Sequence, residues 1–184
     1  MIIGVTGLSG SGKGAVSEIL TSKGFIKLGL SSGIDEELRK RGIEINRMNQ
    51  IRIANEMRKA KGRDYWAKIL LERIGKEEDL NQNYVVEGFR NTAEVDAFRK
   101  VPGFILIGVA AGFLRRSEWI IKRARIGDCK TIEEFREFEK IDFLEGIAEG
   151  QQNALCFAMA DRYIQNEGTF EELREQVERF LKEI

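Results

Sequence analysis

The sequence predicts an α/β fold, a three-layer sandwich in which helices cover both faces of a five-stranded parallel sheet. Two observations predict it. Short, almost unbroken apolar runs at Ile2–Thr6, 84–86 and 104–110 have the composition of strands buried on both faces. Between them lie longer amphipathic stretches with helix-start signals, and strands alternating with helices imply a doubly wound sheet.

Taken in order, Ile2–Thr6 leads into a glycine-rich segment and then a helix with Val16, Ile19 and Leu20 on one side. Residues 25–28 form a weaker strand candidate, and residues 31–74 are too long for a simple crossover, so a helical arm is expected there. After the strand at 84–86, Asn91 with Glu94 gives an amide-headed capping box for a helix. The strand at 104–110 precedes a second long excursion, 112–147, in which Thr131 with Glu134 marks a helix start; this stretch is expected to act as a lid. Arg162–Gln165 is the fifth strand candidate. Thr169 with Glu172 caps a last helix whose Phe170, Leu173, Val177, Phe180, Leu181 and Ile184 share one face. Neither repeats nor a Pro/Ser-rich linker divide the 184 residues, so one domain is expected.

Composition narrows the chemistry. Lys+Arg and Asp+Glu both number 30, and the zero net charge supplies no global field toward nucleic acid or membrane. Nucleic acid is therefore not an expected partner. No run reaches the about 20 apolar residues of a membrane span, and the N-terminal apolar stretch lacks a basic flank, so no signal peptide is expected. Two cysteines without CxxC spacing fit a reducing, cytoplasmic setting better than a disulfide framework. Histidine is absent, which removes the commonest general base and the Ser-His nucleophile pair. Lysine, arginine, carboxylates and Mg2+ are left to carry any reaction.

Gly7-Leu8-Ser9-Gly10-Ser11-Gly12-Lys13, between a strand and a helix, is a phosphate-binding loop. Glycines let backbone N–H groups turn inward around a phosphate, the helix adds its positive end, and Lys13 neutralises β/γ oxygens. Gly14 stands where the general motif has Ser or Thr on the metal. Ligands of open α/β sheets bind beyond the strand carboxyl ends, which brings Glu87, Gly88, Phe89 and Arg90 beside this loop. Glu87 is the candidate to orient Mg2+-bound water, and Arg90 to fork onto an acceptor phosphate. Arg115, Arg116, Lys122, Arg123 and Arg125 against Glu118 alone give the lid a basic stretch able to close on a transferring phosphoryl group.

Gly12-Lys13-Gly14 followed by Ala15 resembles the adenylate kinase loop GxPGxGKGT, with Ser9 for its Pro and Ala15 for its Thr. The stretch VVEGFRNT at 85–92 is similar to the LDGFPRT stretch of the same kinases and to the DGxRN stretch of archaeal adenylate-kinase-related proteins. Leu30-Ser31-Ser32 resembles their Leu-Ser-Asp turn, with Ser32 for the acid, and Asn55-Glu56-Met57-Arg58 resembles the acceptor arm of this group and of phage deoxynucleoside monophosphate kinases. Arg116, Arg123 and Arg125 match the lid pattern R-x-x-R-x-x-x-R-x-R, with Trp119 at one of its arginines. Asn166-Glu167-Gly168-Thr169 is similar to the loop near the adenine.

The resemblance implies a P-loop nucleoside monophosphate kinase using ATP and Mg2+. ATP would lie on Gly7, Ser9, Gly10, Ser11, Gly12, Lys13, Gly14 and Ala15, with Asn166 and Gly168 near the base. The nucleotide acceptor would lie on Ser31, Asn55, Arg58 and Arg90. Lys13, Arg90, Arg116, Arg123 and Arg125 would carry catalysis, and Glu87 would hold the metal through water. Two other readings stay open: a hydroxyl-directed kinase similar to dephospho-coenzyme A kinase, using Asp35 or Glu87 as base, and a nucleotide-binding assembly or regulatory factor with weak ATPase. The chain is expected to work as a monomer or a homodimer.

Overall fold

The computed structural model describes residues 1–76, 82–125, 128–144 and 150–184, with 141–144 as helix backbone. Five parallel strands form one sheet: β1 (Ile2–Thr6), β2 (Ile26–Gly29), β3 (Tyr84–Glu87), β4 (Ile105–Ala110) and β5 (Arg162–Gln165), in the order β2-β3-β1-β4-β5. The register pairs Ile2 with Tyr84 and Ile3 with Ile105 across the central strand. The α/β class read from the sequence is the class observed.

Alternation along β1 sends successive side chains to opposite faces. Ile2 packs with Val86, Leu106, Trp66 and Phe98 on one face. Ile3 and Val5 pack with Val85, Ile107, Val16 and Leu173 on the other. The second face is covered by α1 (Lys13–Ser22) and α9 (Phe170–Glu183); the first by α2 (Ser31–Lys40), α3 (Arg47–Lys61), α4 (Tyr65–Ile74), α5 (Thr92–Arg99) and α8 (Asn153–Ala158). Trp66 is almost fully buried and donates its indole N–H to Ala54 O at 3.3 Å, which ties α4 to α3. Truncating it to Ala would cost about 3–5 kcal/mol.

Helices α2, α3 and α4 occupy the 31–74 stretch. In the 112–147 stretch lie α6 (Phe113–Arg123) and α7 (Ile132–Leu144); residues 126–127 and 145–147 of the expected lid lie outside the described residues. Helix α7 starts at Thr131, whose Oγ1 accepts Glu134 N at 3.1 Å. The Glu134 carboxylate takes the N–H of Lys130 in turn, one residue earlier than a capping box would place it. Since β1 and β3 are neighbours, the loops leaving their carboxyl ends open side by side. That juxtaposition places the site.

Candidate functional site

The loop after β1 is wrapped tightly enough that backbone geometry dictates its residues. Gly12 has φ +93°, and a Cβ there would lie 2.1 Å from Asn166 Nδ2. Gly10 has φ +81°, and a Cβ there would meet Arg116 O at 2.7 Å. Asn166 donates from Nδ2 to Ser11 O at 3.0 Å, so the turn after β5 braces the loop from behind. Lys13 curls back over the loop, its Nζ donating to Gly7 O at 2.8 Å and Leu8 O at 2.9 Å. Among the described residues the buried Ser11 Oγ has no hydrogen-bond partner.

Ser9, Gly10 and Lys13 form one wall of a cavity of about 490 Å³. Gly88, Glu87 and Arg90 come from the loop after β3, Ser31 and Ile34 from α2, and Arg47, Gln50, Ile51, Ala54 and Arg58 from α3. Ile120, Arg123, Asp128, Cys129, Phe138 and Gln151 close the far side. The cationic side chains on this wall outnumber the carboxylates Glu87 and Asp128, so the space suits an anionic ligand.

The acceptor-side arginines are held in different ways. Arg58 is buried and donates from Nε (3.1 Å) and Nη2 (2.8 Å) to Glu94 Oε1, and from Nη1 to Asn55 Oδ1 at 3.1 Å. Asn55 thus orients Arg58 and does not line the cavity. Arg90 donates from Nη1 to Asn153 Oδ1 at 2.9 Å. Glu87 Oε1 is buried 3.2 Å from Lys27 Nζ, and among the described residues no donor is aligned on it as a hydrogen bond. Asp35 is outside the cavity lining and accepts from Gln50 Nε2 at 2.6 Å.

The lid arginines divide. Arg123 reaches the cavity and forks onto Asp128, with Nε to Oδ2 at 2.9 Å and Nη2 to Oδ1 at 2.7 Å. The guanidinium beside Asp128 holds its carboxyl below the usual carboxylate range, although desolvation opposes this. The pair therefore adds stability above that range and loses it as pH falls through the lowered folded value. Arg116 is buried outside the cavity lining. It donates to Ala111 O at 2.9 Å and Ser9 O at 3.2 Å, pairs with Glu139, and lies 5.6 Å from the Phe135 ring centre. Arg125 is exposed, and its backbone N–H goes to Asp128 Oδ2 at 3.0 Å. Gly168 lines a separate hollow with Gln165, Glu172 and Gln176 and not this cavity, while Gly14 and Ala15 lie in the first turn of α1.

The sequence offers Arg47 only as one of nine basic residues between 34 and 63, and gives no signal for Gln50, Phe138 or Asp128 as part of the site or for Glu94 as its support. Arg47 sits 4.6 Å over the Phe138 ring, closing arm against lid. Neither residue belongs to a motif, and only the Asn91/Glu94 capping signature pointed near Glu94. Among the described residues no three potential metal ligands cluster, and no helix is long and apolar enough to cross a membrane.

No family model matches the chain. A UPF0200 protein of Sulfurisphaera tokodaii is 32% identical over 185 residues, covering all of this chain and 97% of the relative. One of Methanothermobacter thermautotrophicus is 33% identical over all of this chain and 90% of its own length. Among solved structures, TT1252 from Thermus thermophilus matches with TM-score 0.64 at 21% identity, covering all of this chain and 97% of the other. Shikimate kinase from Acinetobacter baumannii in complex with shikimate matches with TM-score 0.55 at 14% identity, covering 98% and 90%. A gluconokinase from Sinorhizobium meliloti matches with TM-score 0.52 at 14% identity, covering 98% and 93%. These structures share the P-loop kinase fold, and the two relatives match essentially end to end: the chain belongs to the UPF0200 family.

Proposed function

We propose that this protein is a phosphotransferase that moves the γ-phosphoryl group of Mg-ATP to the phosphate of a nucleoside or deoxynucleoside monophosphate. One observation carries the reading: Lys13 and the glycine loop share a single cavity with Arg58, Arg90 and Arg123. Donor and acceptor phosphates would meet between them. Lys13 exchanges the carbonyls of Gly7 and Leu8 for β/γ oxygens, and the loop N–H groups hold the rest of the chain of phosphates. Arg58 and Arg90 clamp the acceptor phosphate from the opposite side. Arg123 trades Asp128 for the moving group as charge spreads over its oxygens.

In the transfer, an acceptor phosphate oxygen bonds to the γ phosphorus while the bond to the β-phosphate oxygen breaks and ADP leaves. Such an acceptor is ionised near neutral pH, its second pKa being about 6, so no base is required. Positioning and charge neutralisation suffice. Magnesium bound with the nucleotide would neutralise its β and γ oxygens, held by Glu87 through water. The position of Glu87 at the carboxyl end of β3, on the cavity lining, fits that role.

The same carboxylate supports a second reading. A hydroxyl acceptor needs a base; of the lining carboxylates Asp128 is forked by Arg123, whereas Glu87 is held less tightly, by the Lys27 ammonium at 3.2 Å, and Asp35 lies off the lining on Gln50.

The test is chromatographic analysis after incubation with Mg-ATP and a panel of ribo- and deoxynucleoside monophosphates plus dephospho-coenzyme A, beside Lys13→Ala. A new diphosphate made only with intact Lys13 supports the first reading. Phosphate gained on dephospho-coenzyme A alone supports the second. ATP bound or slowly hydrolysed with no acceptor product contradicts both and favours a nucleotide-binding regulatory role.

A further inference from the structure

We propose that Glu94 is a positioning residue for the acceptor half of the cavity, fixing the Arg58 guanidinium and the backbone from which the Arg90 side chain reaches a bound anion. The proposal rests on the phosphoryl-transfer reading above. Glu94 lies in the first turn of α5 and is 0% exposed. Its Oε2 accepts the N–H of Arg90 at 2.8 Å and of Asn91 at 3.1 Å, while Oε1 accepts Arg58 Nε at 3.1 Å and Nη2 at 2.8 Å.

A helix cap requires only the bond to the N-cap N–H. The rest of the arrangement exceeds that need. Burying an ion pair is expensive unless both partners are fully hydrogen-bonded, and apolar side chains of similar size would hold two helices together as well. Glu94, however, is bonded to two residues that line the cavity, Arg58 and Arg90, and does not line it itself. One carboxylate thereby fixes residues from two separate segments: Arg58 on α3 and Arg90 at the end of the loop after β3. Because each oxygen already accepts two donors, Glu94 does not contact the ligand. It sets where Arg58 and Arg90 stand before the ligand arrives, and such preorganisation is what a clamp contributes to affinity.

Glu94→Gln keeps the shape and removes the charge and one of the two acceptor oxygens. The mispaired amide must then face either the Arg58 guanidinium or the Arg90 and Asn91 N–H groups. The expected result is an acceptor KM raised about 10-fold or more with the ATP KM within about twofold. Glu172→Gln is the control, because Glu172 fills the same capping position on exposed α9; both its KM values should match the wild type.

A second readout does not depend on turnover. With the donor site filled by a non-hydrolysable Mg-ATP analogue, inorganic phosphate is titrated while the arginine Nε–Hε signals are followed by NMR. The Arg58 signal should respond saturably in the wild type, and the midpoint should rise about 10-fold in Glu94→Gln. If no acceptor is ever phosphorylated but this difference appears, the kinase reading fails and the positioning role stands as an anion site. Should Glu94→Gln not fold, Glu94→Asp keeps the charge on an arm too short to serve both sides, and a weakened phosphate midpoint is again expected. A lowered melting temperature with unchanged acceptor KM and unchanged phosphate midpoint would make Glu94 a cap and nothing more, overturning the proposal. So would the absence of a saturable response in the wild type.

Discussion

Helices α5 and α9 begin with the same exchange of hydrogen bonds: an N-cap side chain takes an N–H from the first turn, and a glutamate three residues on reaches back to the N-cap. On α9 the glutamate is exposed and its carboxylate serves Thr169, at 2.7 Å to the backbone N–H. On α5 the glutamate is fully buried and also anchors an arginine from another helix. Both sequences carry the same local signal. What differs is the neighbourhood that the fold supplies: Arg90, just before α5, lines the cavity, whereas Gly168 and Glu172 at the start of α9 lie outside its lining. Location, which no local motif encodes, turns a helix cap into the support of a binding wall.

The largest contrast should be in stability. Glu94→Gln leaves a buried guanidinium with half its partner and should cost about 3 kcal/mol, whereas Glu172→Gln should cost about 0.5–1 kcal/mol; thermal or urea unfolding reads both. Equal costs would break the comparison.

The arginines provide the next contrast. Arg90→Ala, which removes a cation from the cavity, should raise the acceptor KM by about 10–100-fold, while Arg125→Ala, exposed and off the lining, should change it by less than about twofold. Steady-state kinetics with each substrate varied in turn separates them.

Among the glycines, Gly12→Ala forces a Cβ against Asn166 Nδ2 at a left-handed φ and should destabilise the loop by about 1–3 kcal/mol, weakening ATP binding. Gly14→Ala meets nothing within 4 Å and should stabilise by about 0.5 kcal/mol through helix propensity. Calorimetry of unfolding and of ATP binding measures the pair.

The smallest perturbation uses the two thiols. Burial pushes Cys156 up to about 12, whereas Cys129 lies at the cavity wall with a milder rise, also from desolvation. At pH 8 iodoacetamide should label Cys129 slowly and Cys156 not at all, and a saturating ligand should slow the Cys129 labelling. Mass spectrometry of the digested protein shows which thiol reacted.

Legibility in the sequence followed the same division between local and distant. Strands β1, β3 and β4 were readable because a strand buried on both faces leaves an unbroken apolar run. The edge strands β2 and β5 were faint, since only one residue of β5 and none of β2 is fully buried. The glycine loop was readable because its glycines and Lys13 are contiguous. The opposite wall was not: Arg47, Gln50, Asp128 and Phe138 come from α3, α7 and a loop, and only folding assembles them. Arg116 and Arg123 share one helix and look equivalent as sequence, yet one is bound to the Ser9 carbonyl and Glu139 while the other faces the cavity. The Arg58–Glu94 pair escaped for the same reason, its members standing on different helices.

The most direct test follows the γ-phosphoryl group itself. Protein in excess is mixed with γ-labelled Mg-ATP and the nucleoside monophosphate panel, and the label is traced in a single turnover. Label is expected on an acceptor phosphate with the wild type, and none with Lys13→Ala. Label recovered only as inorganic phosphate, or none released at all, with every acceptor present would contradict that expectation.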